Sequence, residues 1–397
     1  MISASVHATQ ITSVGATVAK LHEIERELNA RFLERSEVIR GLLLAVLTRQ
    51  HALIFGKHGA AKTDLVQALA DAFVGGGLFR LQVGKDTTSD HIFGPIKISA
   101  LQRDEQRRAF ENFLPGSPFV FLDEIDKTNS IIQTSLYTPM EERLFTDNGQ
   151  VQRIPLISLF GAANRIESLQ TPELAPLFDR FLVRLEVNWI ENDGNFLEFL
   201  RRVSEHDHPG ISTSLNLLEL QLLQQAVQQI KVPPATLESL TKLKKLLAQE
   251  GIFASTRRWS YLVHLVKASA LLAGDGAVWE EHFAPLKLAL WTDKKQIPVI
   301  DRVLKEFEVG QTQQVQDALK TAKRITEAVL KFTNPQQVLG QSTLAHQDLQ
   351  QLHQELTALL SSASINKQRQ VELNKALQTL TIQSDRIVAH RKQICNL

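Results

Sequence analysis

The chain has 397 residues, of which 43% are hydrophobic and 22% charged, with a formal net charge of +1. That length asks for two or three domains, and the composition is that of a globular protein with a sizeable core. The charge balance supplies no global field for nucleic acid or an acidic membrane, and the lone cysteine, Cys395, excludes an intramolecular disulfide and fits a reducing compartment.

Residues 1–20 are small and polar and are expected to form a flexible extension, without the basic start and apolar core of a signal peptide. No apolar run approaches the roughly 20 residues of a membrane span, so a cytoplasmic location is expected. Helices are expected from Leu21 to Arg31 and, led in by Ser36-Glu37, from Val38 to Leu47. Ala52–Phe55 reads as a buried parallel strand, followed by the loop GKHGAAKT and an amphipathic helix with Leu65, Leu69 and Phe73 on one stripe. Further strands are expected at 79–83, in PFVFLDEIDK from Pro118, at Ile157–Arg165 and at Phe181–Val187. Helical patterns separate most of them, which is the rhythm of a parallel α/β sheet with covered faces.

Two insertions interrupt that rhythm. Phe93–Pro115 holds a short alternating piece (Ile96, Ile98), and Glu142–Leu156 places Asp147-Asn148-Gly149 between two alternating runs, a β-hairpin signal. Such a hairpin can touch a partner or merely connect. After Val187 the pattern turns helical, which sets the expected boundaries: an α/β core over 21–190, a small all-α domain over 191–295 and a C-terminal helical module over 296–397. In that module Leu349, Leu352, Leu356 and Leu359, then Leu373, Leu377 and Leu380, form helical stripes on either side of Ser361-Ser362-Ala363-Ser364. The arrangement predicts a bent-back turn and a long antiparallel helical hairpin.

The chemistry starts at the loop after the first strand. Gly56, Gly59, Ala60, Ala61, Lys62, Thr63 and Asp64 join a strand to a helix N-terminus, where backbone N–H groups can cradle phosphates. Lys62 adds a point charge for the terminal phosphates of a nucleotide such as ATP, and the Thr63 hydroxyl is placed to hold Mg²⁺. The loop departs from G-x-x-x-x-G-K-[ST] in having Ala61 where the last glycine is expected. Asp123-Glu124 are two carboxylates delivered to the C-terminal end of a strand, the edge at which open α/β sheets bind ligands. A Mg²⁺ ion relieves their mutual repulsion: Asp123 would hold it, and Glu124 would orient and deprotonate an attacking water. Asn164, ending the fourth strand, can hydrogen-bond a γ-phosphate and the water, or simply turn the chain. Arg180 can serve as a finger into a neighbouring subunit's site, or pair with Asp179 or another acid nearby. Arg257 and Arg258 open a later helix, where one guanidinium could close over the phosphates of its own subunit or both could be solvated.

Other chemistries find little support. The twelve histidines contain no H-E-x-x-H pairing, and Glu205-His206-Asp207-His208-Pro209 reads as a surface loop rather than a metal site. Trp and Tyr are few and not interleaved with basic residues, so no platform for single-stranded nucleic acid is visible.

The ordered set GKHGAAKT, FLDEIDK, GAANR, LFDR and STRRW resembles AAA+ ATPases of the MoxR type, most closely their RavA branch. FLERSEVIRGLLLAVL, FGPIKISAL and RRWSYLVHLVKASALLAG add to the likeness, which covers about residues 30–295, and members commonly carry alanine before the loop lysine. The resemblance implies that Lys62 and Thr63 are the Walker A pair and Asp123 and Glu124 the Walker B pair. It implies that Asn164 is sensor 1, Arg180 the arginine finger and Arg257 sensor 2, with Arg258 as the alternative. It further implies an all-α lid, a helix-2 insert, a pre-sensor-1 hairpin, a homo-hexameric ring, and a partner with a von Willebrand factor A domain that helps remodel a protein client. RavA-like chains can also carry a small β-rich domain within the C-terminal helices, and residues 300–397 have no convincing strands for one. The leading expectation is an ATP-hydrolysing, chaperone-like remodeller. The alternative is a nucleotide-dependent switch or scaffold with little turnover, and a DNA-directed motor is disfavoured by the neutral charge.

Overall fold

A computed structural model describes residues 2–102, 107–207, 209–361 and 367–395. The chain divides into two compact units, one formed by 1–230, 254–274 and 288–290, the other by 231–253, 275–287 and 291–397.

The first unit opens with α1 (Ile2–Arg31) and α2 (Ser36–Leu47), which lead to strand β1 (His51–Phe55). After it come α3 (Lys62–Asp71), β2 (Phe73–Val74), β3 (Leu78–Gln82), α4 (Ser89–Phe93), α5 (Ile98–Leu101) and β4 (Phe119–Asp123). Then follow α6 (Ser130–Glu142), β5 (Leu144–Asp147), β6 (Gln150–Arg153), β7 (Ser158–Ala163), α7 (Ala175–Arg180) and β8 (Phe181–Glu186). The unit continues with α8 (Asp193–Glu205), β9 (Leu215–Asn216) and α9 (Leu217–Gln229), and includes α11 (Thr256–Ala273), which follows α10 (Pro234–Gln249) of the second unit.

Five strands form one parallel sheet in the order β3-β4-β7-β1-β8. Every residue of β1 and β7 is buried, as the uninterrupted apolar runs require of central parallel strands. The order places the C-terminal ends of β4, β7 and β1 side by side, about 4.8 Å apart per step. That row positions the site. The helical stripe expected through Phe73 stops short: α3 ends at Asp71, and Phe73 pairs instead with Leu215 in a two-stranded ribbon.

The stretch 1–20, expected as a flexible extension, is helical from Ile2 onward. Helix α1 is continuous from Ile2, and Thr17, Leu21, Ile24 and Leu28 are buried at helical spacing. Lys20 pairs with Glu219 of α9 at 2.6 Å. The small polar composition hid Thr17 as part of that apolar stripe.

The two insertions meet each other. Residues around Ile96 and Arg108 bridge in antiparallel fashion, and the β5–β6 hairpin turns at Asn148-Gly149 with φ of 49° and 72°, both left-handed as a tight hairpin demands. The Phe145 ring of the hairpin lies 4.9 Å from Phe93 and 5.6 Å from Phe110. Asp147 accepts the Arg108 amide at 3.1 Å.

Helix α8 is docked by its polar side. Its least exposed residues are Asn195, Glu198 and Arg202, while Phe196, Leu197, Phe199, Leu200 and Val203 are all exposed. The Glu34 carboxylate accepts from Glu191 N, Asn192 N and Asn195 Nδ2 at 2.9–3.0 Å, and Arg202 donates to Ala30 O.

The second unit contains α10, α12 (Ile297–Val329), α13 (Pro335–Ser361) and α14 (Lys367–Cys395). The expected boundaries at 190 and 295 therefore differ from the structural division, since α8, α9 and α11 belong with the sheet and α10 packs on α12. Ser384 meets His346, and Cys395 donates to Pro335 O, so the end of α14 lies beside the start of α13 and the pair is antiparallel. Leu349, Leu356, Leu373 and Leu380 fill its core with Ala322 and Val329 of α12, and Leu352 and Leu377 pack against them. Of the expected turn, Ser362, Ala363 and Ser364 lie outside the described residues. Among the described residues beyond 296 there is no strand.

Candidate nucleotide site

Strand β1 runs out at Phe55, and the chain must turn beside β8. Gly56 has φ +149°, and a Cβ there would lie 1.9 Å from Val187 O, so only glycine fits. Gly59 follows with φ +74°. Ala61 takes a left-handed conformation (φ 58°, ψ 30°) as the N-cap of α3, a position glycine would occupy with less strain. The α3 N-terminus, with Lys62, Thr63 and Asp64 in its first turn, then presents N–H groups that have no partner within the helix. Trp189 braces the loop from the β8 side: its Nε1 donates to His58 O at 3.0 Å, and Lys57 Nζ lies 4.3 Å from its ring centre.

Lys62 is buried, and its ammonium reaches only neutral acceptors. It donates to Gly56 O at 2.5 Å, Lys57 O at 3.2 Å and Asn164 Oδ1 at 3.2 Å. Burial lowers its pKa from the ordinary lysine value, while Asp123, Asp126 and Glu124 favour the charged form. Among the described residues no carboxylate forms an ion pair with it, so the cradle holds a cation that lacks an anionic partner. A phosphate fits there. The oxygens of Thr63 and Asp123 are hard donors of the type that Mg²⁺ takes.

At the end of β4, Asp123 Oδ1 accepts the Glu124 amide at 2.9 Å, and Glu124 sits in a left-handed conformation with φ 55°. Its carboxylate accepts from Lys127 Nζ at 2.5 Å. That hydrogen bond first, against the opposing desolvation and with a further hydrogen bond from Gln82, holds Glu124 below the usual carboxylate range. Asp126 Oδ1 is buried without a hydrogen-bond partner. Lys127 and Gln82 escaped the sequence reading, although the i+3 spacing of DEIDK and the pairing of Gln82 with Asp123 across β3 and β4 carried the signal.

The arginines lie elsewhere. Arg180 Nη2 pairs with Glu141 Oε2 at 3.1 Å, donates through Nη1 to Pro176 O at 2.8 Å, and has its guanidinium 3.8 Å from the Tyr137 ring centre. Arg257 pairs with the other oxygen of Glu141. Arg258 is buried, donating to Ala289 O at 2.5 Å, Leu182 O at 3.2 Å and Asp179 Oδ1 at 3.0 Å. These groups line one pocket with Gln50 and His51 at the start of β1, whereas the phosphate loop leaves its end. A five-residue strand separates the two by about 15 Å. Arg257 and Arg258, expected to close over the phosphates of their own subunit, thus stand at the opposite end of β1 from the phosphate loop. Arg258 ties α11 to the sheet, and Arg257 shares a carboxylate with Arg180.

Residues 19–225 match the family described as the MoxR domain in the MoxR-vWA-beta-propeller ternary systems, and residues 235–304 match an AAA lid domain. This chain belongs to the MoxR-type AAA+ ATPases. An uncharacterised protein of Methanocaldococcus jannaschii is 31% identical over 307 residues, 77% of this chain and 79% of its own length. Protein MoxR of Paracoccus denitrificans is 31% identical over 173 residues, 43% of this chain and 50% of its own. Chaperone MoxR1 of Mycobacterium tuberculosis is 27% identical over 180 residues, 43% of this chain and 46% of its own. The chain thus spans about half the length of these two named MoxR relatives. The crystal structure of a putative ATPase from Cytophaga hutchinsonii superposes with a TM-score of 0.60 at 17% identity, over 76% of this chain and 98% of that one, a likeness of fold. The general role of the MoxR family is that of chaperone-like AAA+ ATPases, and among the described residues no helix is long and apolar enough to cross a membrane.

Proposed function

We propose that this MoxR-type chain hydrolyses ATP in a homo-hexameric ring and uses the turnover to remodel a protein complex. The observation that carries the reading is a division of labour along β1. Lys62, Asn164 and the Asp123-Glu124 pair stand at its C-terminal edge, and Arg180 stands at its N-terminal edge. This separation supports a reading in which a neighbour supplies Arg180 to the loop, and Arg257, bound to the same carboxylate, travels with it.

When bound, ATP supplies the phosphoanhydride bond that breaks, and Mg²⁺ neutralises its phosphate oxygens. Lys62 and the loop N–H groups hold the terminal phosphates, and the Thr63 hydroxyl and Asp123 hold the cation. Asn164 orients the water. Glu124 takes its proton once Lys127 releases the carboxylate. Arg180 of the neighbour stabilises the transferred charge. In this reading Glu124→Gln binds ATP but turns it over at least about tenfold more slowly, and Arg180→Ala keeps binding and loses turnover. Parent-rate hydrolysis by either variant in assembled rings would overturn the role given to that residue.

The match to a family described with von Willebrand factor A and beta-propeller components supports a partner of the former kind, with the beta-propeller as a third member. The likeness to the RavA branch rests on the motif strings alone. The Glu124–Lys127 pair favours a second reading, a nucleotide-dependent assembly switch with little turnover, because it keeps the base occupied. Comparing steady-state ATPase rate with nucleotide affinity separates the two: tight binding with negligible turnover in assembled rings selects the switch.

A further inference from the structure

We infer that Glu141 is a positioning residue that sets Arg180 and Arg257 as one unit for delivery to the neighbouring subunit's nucleotide. This rests on the reading that Arg180 acts across a subunit boundary. The carboxylate at the end of α6 divides its two oxygens between the arginines: Oε2 takes Arg180 Nη2 at 3.1 Å, and Oε1 takes Arg257 Nη1. Arg180 is additionally fixed by its bond to Pro176 O and by the Tyr137 ring, one helical turn before Glu141 on α6. Helices α6, α7 and α11 are thereby joined through a single side chain.

Two guanidiniums within hydrogen-bond reach of one carboxylate repel each other once it is lost. A neutral glutamine keeps one acceptor and turns an N–H₂ group on the second arginine, so the pair cannot persist in the same geometry. Stability is a poor explanation for the arrangement. The Arg257 side chain is 44% exposed and that of Glu141 30%, and surface pairs of this kind contribute little to folding. Preorganisation is the greater effect, because a charge held in place before the reaction has no reorganisation to undergo during it.

The test uses the full-length assembled protein with Mg-ATP. Glu141→Gln is expected to lower kcat about tenfold or more, with nucleotide affinity and the thermal midpoint close to the parent values. Mixing it with Glu124→Gln subunits should restore turnover above either variant alone, because each Glu141→Gln subunit keeps its own base and receives intact arginines from a Glu124→Gln neighbour. Arg180→Ala is measured alongside. If Arg180→Ala is inactive while Glu141→Gln hydrolyses at or above the parent rate, the positioning role is overturned and the reading of the site survives. No restoration on mixing also overturns it, since Glu141 would then act inside its own subunit. If Arg180→Ala hydrolyses at the parent rate, the trans reading fails and this inference fails with it.

Discussion

Lys62 Nζ donates to Asn164 Oδ1 at 3.2 Å, a bond between the phosphate loop and the end of the neighbouring strand that spans 102 residues of sequence. It exists because β1 and β7 are adjacent and parallel, with Phe55 opposite Ala163. The ammonium gives each residue of the pair a separate duty. Lys62→Ala removes a buried cation of the cradle that neutral acceptors hold, and should weaken nucleotide binding by about 100-fold or more. Asn164→Ala removes one acceptor of that ammonium and a donor for water, and should change affinity by less than about threefold while lowering turnover about tenfold or more. Titration with a fluorescent ATP analogue and steady-state ATPase rates read the two effects apart. Equal loss of binding in both variants would refute the division of labour.

Two small residues of the same loop should respond in opposite ways to exchange. Gly56→Ala drives a Cβ to 1.9 Å from Val187 O at a φ of +149°, where backbone rather than a flexible side chain must give way. A loss of more than about 2 kcal/mol in stability is expected, together with loss of nucleotide binding. Ala61→Gly relieves a left-handed alanine while loosening the unfolded chain, and these terms offset to within about 1 kcal/mol. Urea unfolding of both variants checks the contrast, and a larger loss from Ala61→Gly than from Gly56→Ala would contradict it.

The parallel sheet is legible in the sequence because its strands are apolar runs ending in a polar residue or a glycine. Phe119–Asp123 and the residues up to Asn164 announce both a strand and the edge at which it stops. What escapes sequence reading depends on which helix end reaches which strand end. Glu141 gives no local signal: it meets Arg180 only because α6 extends to the start of β1, and Asp179, the sequence neighbour, goes to Arg258 instead. Adjacent Arg257 and Arg258 look equivalent in STRRW, yet one helical step of about 100° sends Arg258 into the core and Arg257 to the surface. Thr17 was obscured for a related reason, being a polar residue in an apolar stripe.

His51 makes stability depend on pH. Its ring is buried, with Nε2 2.7 Å from Met140 O and Nδ1 accepting the Leu159 amide at 2.8 Å. Those partners select the neutral ring protonated at Nε2. Burial first, and the Arg143 charge second, hold its pKa well below 6.5. The unfolded chain therefore binds a proton near and below about pH 6.5 that the folded chain refuses. The stabilisation is complete above that pH and is lost as pH falls toward the folded pKa, by up to about 1.4 kcal/mol per pH unit. His264 and His282 are also lowered, chiefly by burial, and add the same sign. Urea midpoints measured at about pH 7.5 and about pH 5.5 should show the protein weaker in acid, and His51→Gln should show a smaller difference between them. An undiminished difference in His51→Gln would remove His51 from the account.

Helix α8 offers a test of which side of an amphipathic helix holds it. Ordinary amphipathic logic says that Phe196, Leu197, Leu200 and Val203 anchor it. The structure reverses this, since those side chains are exposed and the anchors are Asn195 and Arg202 together with the backbone amides of Glu191 and Asn192. Hydrogen bonds from those two amides and from Asn195 also lower the Glu34 pKa, as expected of a carboxylate serving as acceptor for three donors. Leu197, at 69% exposure, and Leu200, at 47%, should accept serine with stability changes within about 0.5 kcal/mol each. Glu34→Ala removes the acceptor for three donors and should release the start of the helix. Hydrogen exchange reads both: α8 amides should exchange faster in Glu34→Ala and at the parent rate in the Leu197→Ser, Leu200→Ser double variant. The opposite ranking would mean that the apolar side is the one that binds the helix to the protein.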